Sequence, residues 1–423
     1  MTSPIIGIDF GTTNSVVAVL GADGTVTTAR FPAGPETLDV FRSVLCFWNE
    51  ETRAGVSLRH AAGPAGIEAY LDDPLDTRLI MSMKTYLAQR SFQETRIYGR
   101  PFTLQQMIAT FLRSLAASAG LQLDGARIIA GRPVRFAGEL ADDSLGDLRL
   151  RESYAAAGMP DVETALEPEA AGYRFARRLT APATVLIGDF GGGTSDFSVL
   201  RYAPGAGVTP LGHAGIGIAG DMFDYRIIDQ VISPLLGKGD TYRIMGQDLP
   251  VPPEYFSAFA RWHRLSLMKA PKTVREIGEV ARASAHPERL RGLLTVIEDE
   301  LGYQLYQTVS GVKAALSRAD EAPLSFRVKG LTIERTVTRA AFEGWIAEDV
   351  AAIGATIDRA LAEAGVSGEA VDHVFLTGGT SFVPAVRRLF TDRFGAGKVA
   401  AGGEFVSVAE GLALIGRDRL RLH

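Results

Sequence analysis

The chain has 423 residues, with 44 Lys and Arg against 49 Asp and Glu for a formal net charge of −5; its 46% hydrophobic and 22% charged residues exclude a disordered, collagenous or fibrous protein. The mild acidity argues against a nucleic-acid partner, no apolar run approaches the roughly 18 residues of a membrane span, and the single Cys46 excludes an internal disulfide and a multi-cysteine metal site. With no basic start to a signal peptide, the expected location is the cytoplasm, and one excess stands out: glycine, 46 of 423 residues or 10.9%, against about 7% on average.

Residues 5–20 read as an apolar strand ending near Asp9, a turn Gly11-Thr12-Thr13-Asn14, and a second strand. A less regular stretch, about 36–102, follows. Thr103 and Gln106 then form a capping box for a helix with Leu104, Met107, Ile108, Phe111, Leu112 and Leu115 on one face, and Gly120 stops it. Residues 127–130 are a strand. Residues 185–200 repeat the first hairpin: laid over 5–20 at an offset of 180, they match at 6 of 16 positions, with Asp189 over Asp9 and Gly191-Gly192-Gly193-Thr194 over the first turn. A second irregular stretch, about 225–330, contains a Gly-, Pro- and Asp-rich segment at 237–253 expected to be a surface loop. Phe342, Ile346, Val350, Ile353, Ile357 and Leu361 form one helical stripe closed by Gly365. A strand at 371–377, a Gly378-Gly379 turn and a helix at 384–394 complete the pattern.

A single repeat at this distance indicates duplicated halves, about 1–181 and 182–423. The expected cores are about 1–35 with 103–181 and about 182–224 with 331–417; the insertions are about 36–102 and 225–330. Strands alternating with helices predict an α/β fold with covered sheets. Glycine-rich turns expose backbone N–H groups that suit phosphate oxygens, and carboxylates at the strand ends, Asp9 and Asp189, suit Mg²⁺. The G-x-x-x-x-G-K-[ST] and G-x-G-x-x-G spacings are absent at the first strand, so the phosphate site is of another type.

Residues 8–15 (Ile-Asp-Phe-Gly-Thr-Thr-Asn-Ser), 189–197 (Asp-Phe-Gly-Gly-Gly-Thr-Ser-Asp-Phe) and 376–384 (Leu-Thr-Gly-Gly-Thr-Ser-Phe-Val-Pro) resemble the phosphate-1, phosphate-2 and adenosine motifs of actin-like ATPases. More narrowly, the chain resembles the ATPase domain of the DnaK, or heat shock protein 70, family. Glu167-Pro168-Glu169-Ala170-Ala171, Gly220-Asp221-Met222-Phe223-Asp224 and Lys313-Ala-Ala-Leu-Ser317 extend the likeness. Gly131-Arg132-Pro133-Val134, 212–215 and Lys84 favour the YegD-like branch. The resemblance covers about 4–416.

The resemblance implies a duplicated actin-like ATPase (ribonuclease H-like) fold: two lobes, each with an inserted subdomain, and a nucleotide in the central cleft. It implies that Gly11, Thr12, Thr13, Asn14, Gly191, Gly192, Gly193 and Thr194 bind the phosphates. Asp9 and Asp189 would hold Mg²⁺, mostly through water. Lys84, Glu167, Thr194 and Asp196 would be the catalytic group, with Lys84 at the γ-phosphate and Glu167 on the attacking water. Gly220, Asp221, Lys313, Ser317, Gly378, Gly379 and Phe382 would meet the nucleoside. Taken alone, a lysine such as Lys84 is more often a solvated surface residue, and Glu167 can also be read as a helix cap and Asp196 as a turn residue. The implied ligands are ATP or ADP with Mg²⁺, K⁺ being an optional companion; the implied partners are ATP and an unfolded client or regulatory protein bound through the ATPase domain.

Four positions depart from the family pattern. Ser310 and Ala314 stand where it has a glutamate and an arginine, and Phe382 replaces an arginine that would stack on adenine. Phe382 either stacks on the base or packs into the core. The aspartate the family places near Phe405 is missing, and the chain stops where the family continues into a linker and a peptide-binding domain. A slow, chaperone-like ATPase is the leading expectation. A sugar-type kinase, a filament-forming scaffold and a nucleotide sensor are the alternatives within the same fold.

Overall fold

The computed structural model describes residues 4–34, 36–53, 55–138, 140–204, 207–261, 265–401 and 406–420; the position near Phe405 lies outside them. It divides into two compact units, Met1–Gly220 with Val350–His423, and Asp221–Asp349.

The first unit contains two sheets built alike. In one, Ile5–Phe10 is central; Arg127–Arg132 and Glu163–Leu166 extend it in parallel on one side, and Asn14–Leu20 and Val26–Thr28 antiparallel on the other. In the second, Ala183–Phe190 is central. His373–Thr377 and Val399–Ala401 run parallel beside it, and Ser195–Ala203 and Gly207–Ile216 antiparallel. Both central hairpins close on a Phe–Ser pair, Phe10 with Ser15 and Phe190 with Ser195. The sequence offset of 180 is therefore also the structural register.

Two helices carry the packing in this unit. Ser407–Leu420 lies on Ile5–Phe10 and against Glu167–Ala176, which itself packs on Ala183–Phe190. The crossing is close: a Cβ on Gly411 would sit 1.7 Å from the Ala170 carbonyl oxygen, so only glycine fits there. Ile129, Ala165, Ala170, Ala171, Ile187 and Leu412 form the apolar cluster around it.

Local expectations and structure agree at several points. The helix Leu104–Ser118 starts with the reciprocal Thr103–Gln106 capping box, and Gly120 follows its end at φ +62°. The helix Pro384–Phe394 has the expected bounds.

Other expectations need correction. The stretch 36–102 is more regular than its pattern suggests. Val44–Thr52 pairs with both Gly55–Ala62 and Thr77–Met81. Its first four residues are buried and its last four exposed, so no period of two marks it as a strand. The expected loop at 237–253 contains a hairpin, Thr241–Ile244 with Gln247–Pro250. Its turn residues Met245 and Gly246 both have positive φ, 47° and 81°, the geometry that matches strand twist in a two-residue turn. Both its strands are largely exposed, so no buried face announced them. The single helical stripe is two helices, Arg339–Trp345 and Ala347–Ala364; Ile346 between them leaves helical geometry at φ −95°, ψ 3° while staying buried.

The second unit comprises the helices Pro253–Phe259, Pro271–Ala283, Pro287–Glu298 and Gly302–Leu316, the hairpin above, and a second hairpin, Glu321–Val328 with Leu331–Thr338. Among the described residues no helix is long and apolar enough to cross a membrane.

Candidate functional site

Asp9 lies one residue before the end of its strand, opposite Val16; Asp189 lies at the equivalent place, opposite Asp196. The turns that follow are held from within and from outside. Asn14 Oδ1 accepts from Arg42 Nη1 at 3.0 Å, and Thr13 O accepts from Ser43 N at 2.9 Å. In the second turn Gly191 N donates to Thr194 O at 3.0 Å. The two turns approach one another: a Cβ on Gly193 would lie 3.4 Å from Thr12 Oγ1.

Asp196 is fully buried and its Oδ1 accepts from the backbone N–H groups of Val134 and Arg135 at 2.9 and 3.2 Å. It thus ties the second hairpin to the end of Arg127–Arg132. It is not a free turn residue, and sequence reading had no signal for the tie, because its donors are backbone amides 61 and 62 residues away.

Lys84 sits on the short 3₁₀ turn Met83–Tyr86, preceded by Ser82 in the left-handed region at φ 55°. It is buried, and its Nζ donates to Glu167 Oε1 at 2.5 Å. The side chains of Lys84 and Glu167 are 8% and 7% exposed, so neither is a solvated surface group. Glu167 is the first residue of its helix and makes no capping bond; the N-cap is Leu166. Its carboxylate therefore meets a lysine rather than the amides of its own helix.

Burial and mutual repulsion raise the acids of this cluster. Burial, with Glu167 adding to it, pushes Asp9 up to about 7, opposed by Lys84. Burial and Glu167 likewise push Asp196 to about 7, and Asp189 is held well above the ordinary carboxylate range by burial, Glu167, Asp9 and Asp196. Burial pulls the Lys84 ammonium down, but Glu167, Asp9 and Asp189 outweigh it and hold it above its usual value. A cluster with this excess of buried acids favours a cation, so Asp9 and Asp189 fit a hard divalent ion that keeps most of its own waters. No group of three or more His, Cys, Asp or Glu side chains converges as a metal cage among the described residues.

The Gly378-Gly379 turn follows Thr377, the parallel partner of Asp189. Gly378 has φ +85°, and a Cβ there would lie 2.0 Å from the Phe190 carbonyl oxygen, so the turn abuts the second hairpin only because it lacks a side chain. Phe382 ends the 3₁₀ turn Gly379–Phe382 and is 42% exposed, which removes the core packing alternative.

Gly220 begins the helix Gly220–Ile227 at the edge of the first unit. Asp221, Lys313 and Ser317 belong to the second unit. There Lys313 Nζ pairs with Asp224 Oδ1 at 2.9 Å, and Ser317 Oγ donates to Lys313 O at 3.4 Å. Asp224 ends the Gly220-Asp221-Met222-Phe223-Asp224 stretch. Nothing in local sequence links it to a lysine 89 positions on.

Two β-sheets of one strand order, each ending in an acid and a phosphate-type turn, define the duplicated actin-like ATPase fold. Residues 297–416 match the family model described as Hsp70 protein. Over 92% of its length the chain aligns with chaperone protein DnaK of Deinococcus deserti at 24% identity. It aligns over 92% with the DnaK proteins of Thermotoga petrophila and Thermotoga maritima at 26% identity. The chain is thus similar to Hsp70 proteins, the family model matching 297–416 and the DnaK relatives nearly its whole length. It spans about half, 55%, of the length of these relatives.

Proposed function

We infer that the protein is a slow Mg²⁺-dependent ATPase of the YegD-like branch of the Hsp70 family, an ATP-driven chaperone-like or regulatory protein of the cytoplasm. The observation that carries this is the buried Lys84–Glu167 pair, set among Asp9, Asp189 and Asp196 beside two glycine-rich turns. The backbone of 11–14 and 191–194 would bind the β- and γ-phosphates. Asp9 and Asp189 would hold Mg²⁺, which when bound supplies charge for the triphosphate. Lys84 places an ammonium where charge spreads over the transferring phosphoryl group. Glu167, held by Lys84 in a fixed direction, orients the attacking water or accepts its proton. Asp196, anchored by two amides, supports that water from the second hairpin. Gly378 and Gly379 offer an open backbone turn to the nucleoside and Phe382 an exposed ring. Client or regulatory proteins would bind the ATPase units directly.

Purified protein should convert ATP to ADP and phosphate with Mg²⁺ and without any acceptor. ATP consumption that depends on an added sugar would replace this reading with a kinase. ATP-dependent light scattering would replace it with a filament.

A further inference from the structure

The turn that carries Lys84 is gripped from a distant helix of the same unit. The helix Asp143–Ala156 is anchored at its start: Asp142 Oδ1 accepts from Leu145 N at 3.0 Å, and Asp143 Oδ1 accepts from Phe136 N at 2.8 Å. Its residues Leu150 and Tyr154 are fully buried, and it packs against Leu104–Ser118. Arg149 on this helix is buried as well. Its guanidinium donates to main-chain carbonyls: from Nη1 to Gln89 O at 3.0 Å, Leu87 O at 3.3 Å and Tyr86 O at 3.4 Å, and from Nη2 to Phe92 O at 2.9 Å. A buried charge is costly unless polar groups surround it, and here the carbonyls of 86–92 are turned to meet it.

Those carbonyls belong to the chain that leaves the Lys84 turn. Met83–Tyr86 is a single 3₁₀ turn, continued by Leu87 N to Lys84 O at 3.2 Å and Gln89 N to Tyr86 O at 3.1 Å. One turn of helix does not hold its own direction. Ser82 before it sits at φ 55°, a conformation that persists in a non-glycine residue only where the surroundings impose it. We propose that Arg149 is a positioning residue for Lys84: by gathering the carbonyls of Tyr86, Leu87, Gln89 and Phe92 it fixes the turn Met83–Tyr86, and with it the direction in which Lys84 presents its ammonium to Glu167 and to the transferring phosphoryl group. The proposal rests on the ATPase reading above and gives Arg149 a part in it. Arg149 acts through the main chain and does not itself touch the reacting atoms. It therefore affects the rate of phosphoryl transfer and spares ATP binding.

The test uses the full chain as wild type, Arg149→Lys, Arg149→Met, Lys84→Ala and the double variant Lys84→Ala with Arg149→Lys, all well below their melting temperatures. Lysine keeps the charge but lacks the planar fork that spans Gln89 and Phe92. A charge misplaced by about 1 Å costs up to about 10²-fold in rate, so single-turnover phosphate release from ATP with Mg²⁺ should fall about tenfold in Arg149→Lys and about 10²-fold in Arg149→Met. The ATP Kd from titration calorimetry should stay within about twofold of wild type. In the Lys84→Ala background Arg149→Lys should change the remaining rate by less than about twofold, because the group it positions is gone, while the melting temperature still falls. If Arg149→Met does not fold, Arg149→Lys carries the test. Wild-type release by Arg149→Lys with a lowered melting temperature would show a purely structural role and overturn the proposal. So would a tenfold loss repeated in the Lys84→Ala background, or a loss confined to the ATP Kd. Lys84→Ala that turns over like wild type overturns the part given to Lys84, and wild-type protein without ATP turnover overturns the ATPase reading; either result takes the proposal with it.

Discussion

Replacing Lys84 with alanine separates the structural from the chemical role of the site. The change leaves Glu167, whose side chain is 7% exposed, without the ammonium it now meets at 2.5 Å. Removing one partner of a buried pair costs about 3–5 kcal/mol. The lower end, about 3 kcal/mol, is expected for the ligand-free protein, because water can enter the space the lysine leaves. At roughly 2–4 °C per kcal/mol this lowers the melting temperature by about 10 °C. ATP turnover should fall by about 10²–10³-fold, because a positive charge no longer faces the reacting phosphoryl group. ATP binding, carried by backbone amides and metal, should persist. The variant Lys84→Met with Glu167→Gln removes both charges at similar volume and should recover most of the lost stability while turnover stays low. Scanning calorimetry and a phosphate-release assay on the three proteins give the answer. A single variant that melts and turns over like wild type would remove Lys84 from both roles.

Asp9, raised from 3.8 to about 7, gives a pH test. A carboxylate with a raised folded pKa contributes stability that is full below its unfolded pKa and is lost as pH rises through its folded pKa, here between about 4 and 7. Asp9→Asn should therefore stabilise the ligand-free protein relative to wild type more at pH 8 than at pH 5; calorimetry at the two values checks it, and an equal effect at both would contradict the electrostatic account. Gly411→Ala should destabilise by about 1–3 kcal/mol or more, because its methyl group meets the Ala170 carbonyl at 1.7 Å. Gly311→Ala, in a helix with nothing within 4 Å of the new Cβ, should instead stabilise by about 0.5–1 kcal/mol, and denaturant melts compare the two. Phe382→Ala should weaken ADP binding by about 1 kcal/mol with little change in melting temperature, since the ring is 42% exposed; titration calorimetry with ADP and pyrophosphate measures whether the loss follows the base.

Much of the fold was legible in the chain itself. The two hairpins, their offset of 180, the Thr103–Gln106 capping box and the helix from Pro384 depend on neighbours a few residues apart. Backbone preference and side-chain period report such neighbours directly. The strand Val44–Thr52 and the hairpin around Met245-Gly246 were not legible, because the first leaves the core halfway along and the second has no buried face.

The sequence by itself determined where the glycine-rich turns fall, which acids precede them, and that the chain repeats one hairpin design. Only the tertiary structure decided that Lys84 is buried on Glu167 across 83 residues, that Asp196 is held by the amides of Val134 and Arg135, and that Phe382 stands outside the core. The reason is physical. Local pattern fixes backbone conformation through short-range sterics and capping. Burial, desolvation and the pairing of charges arise only when segments distant in the chain are brought together, and it is those terms that set the chemistry of this site.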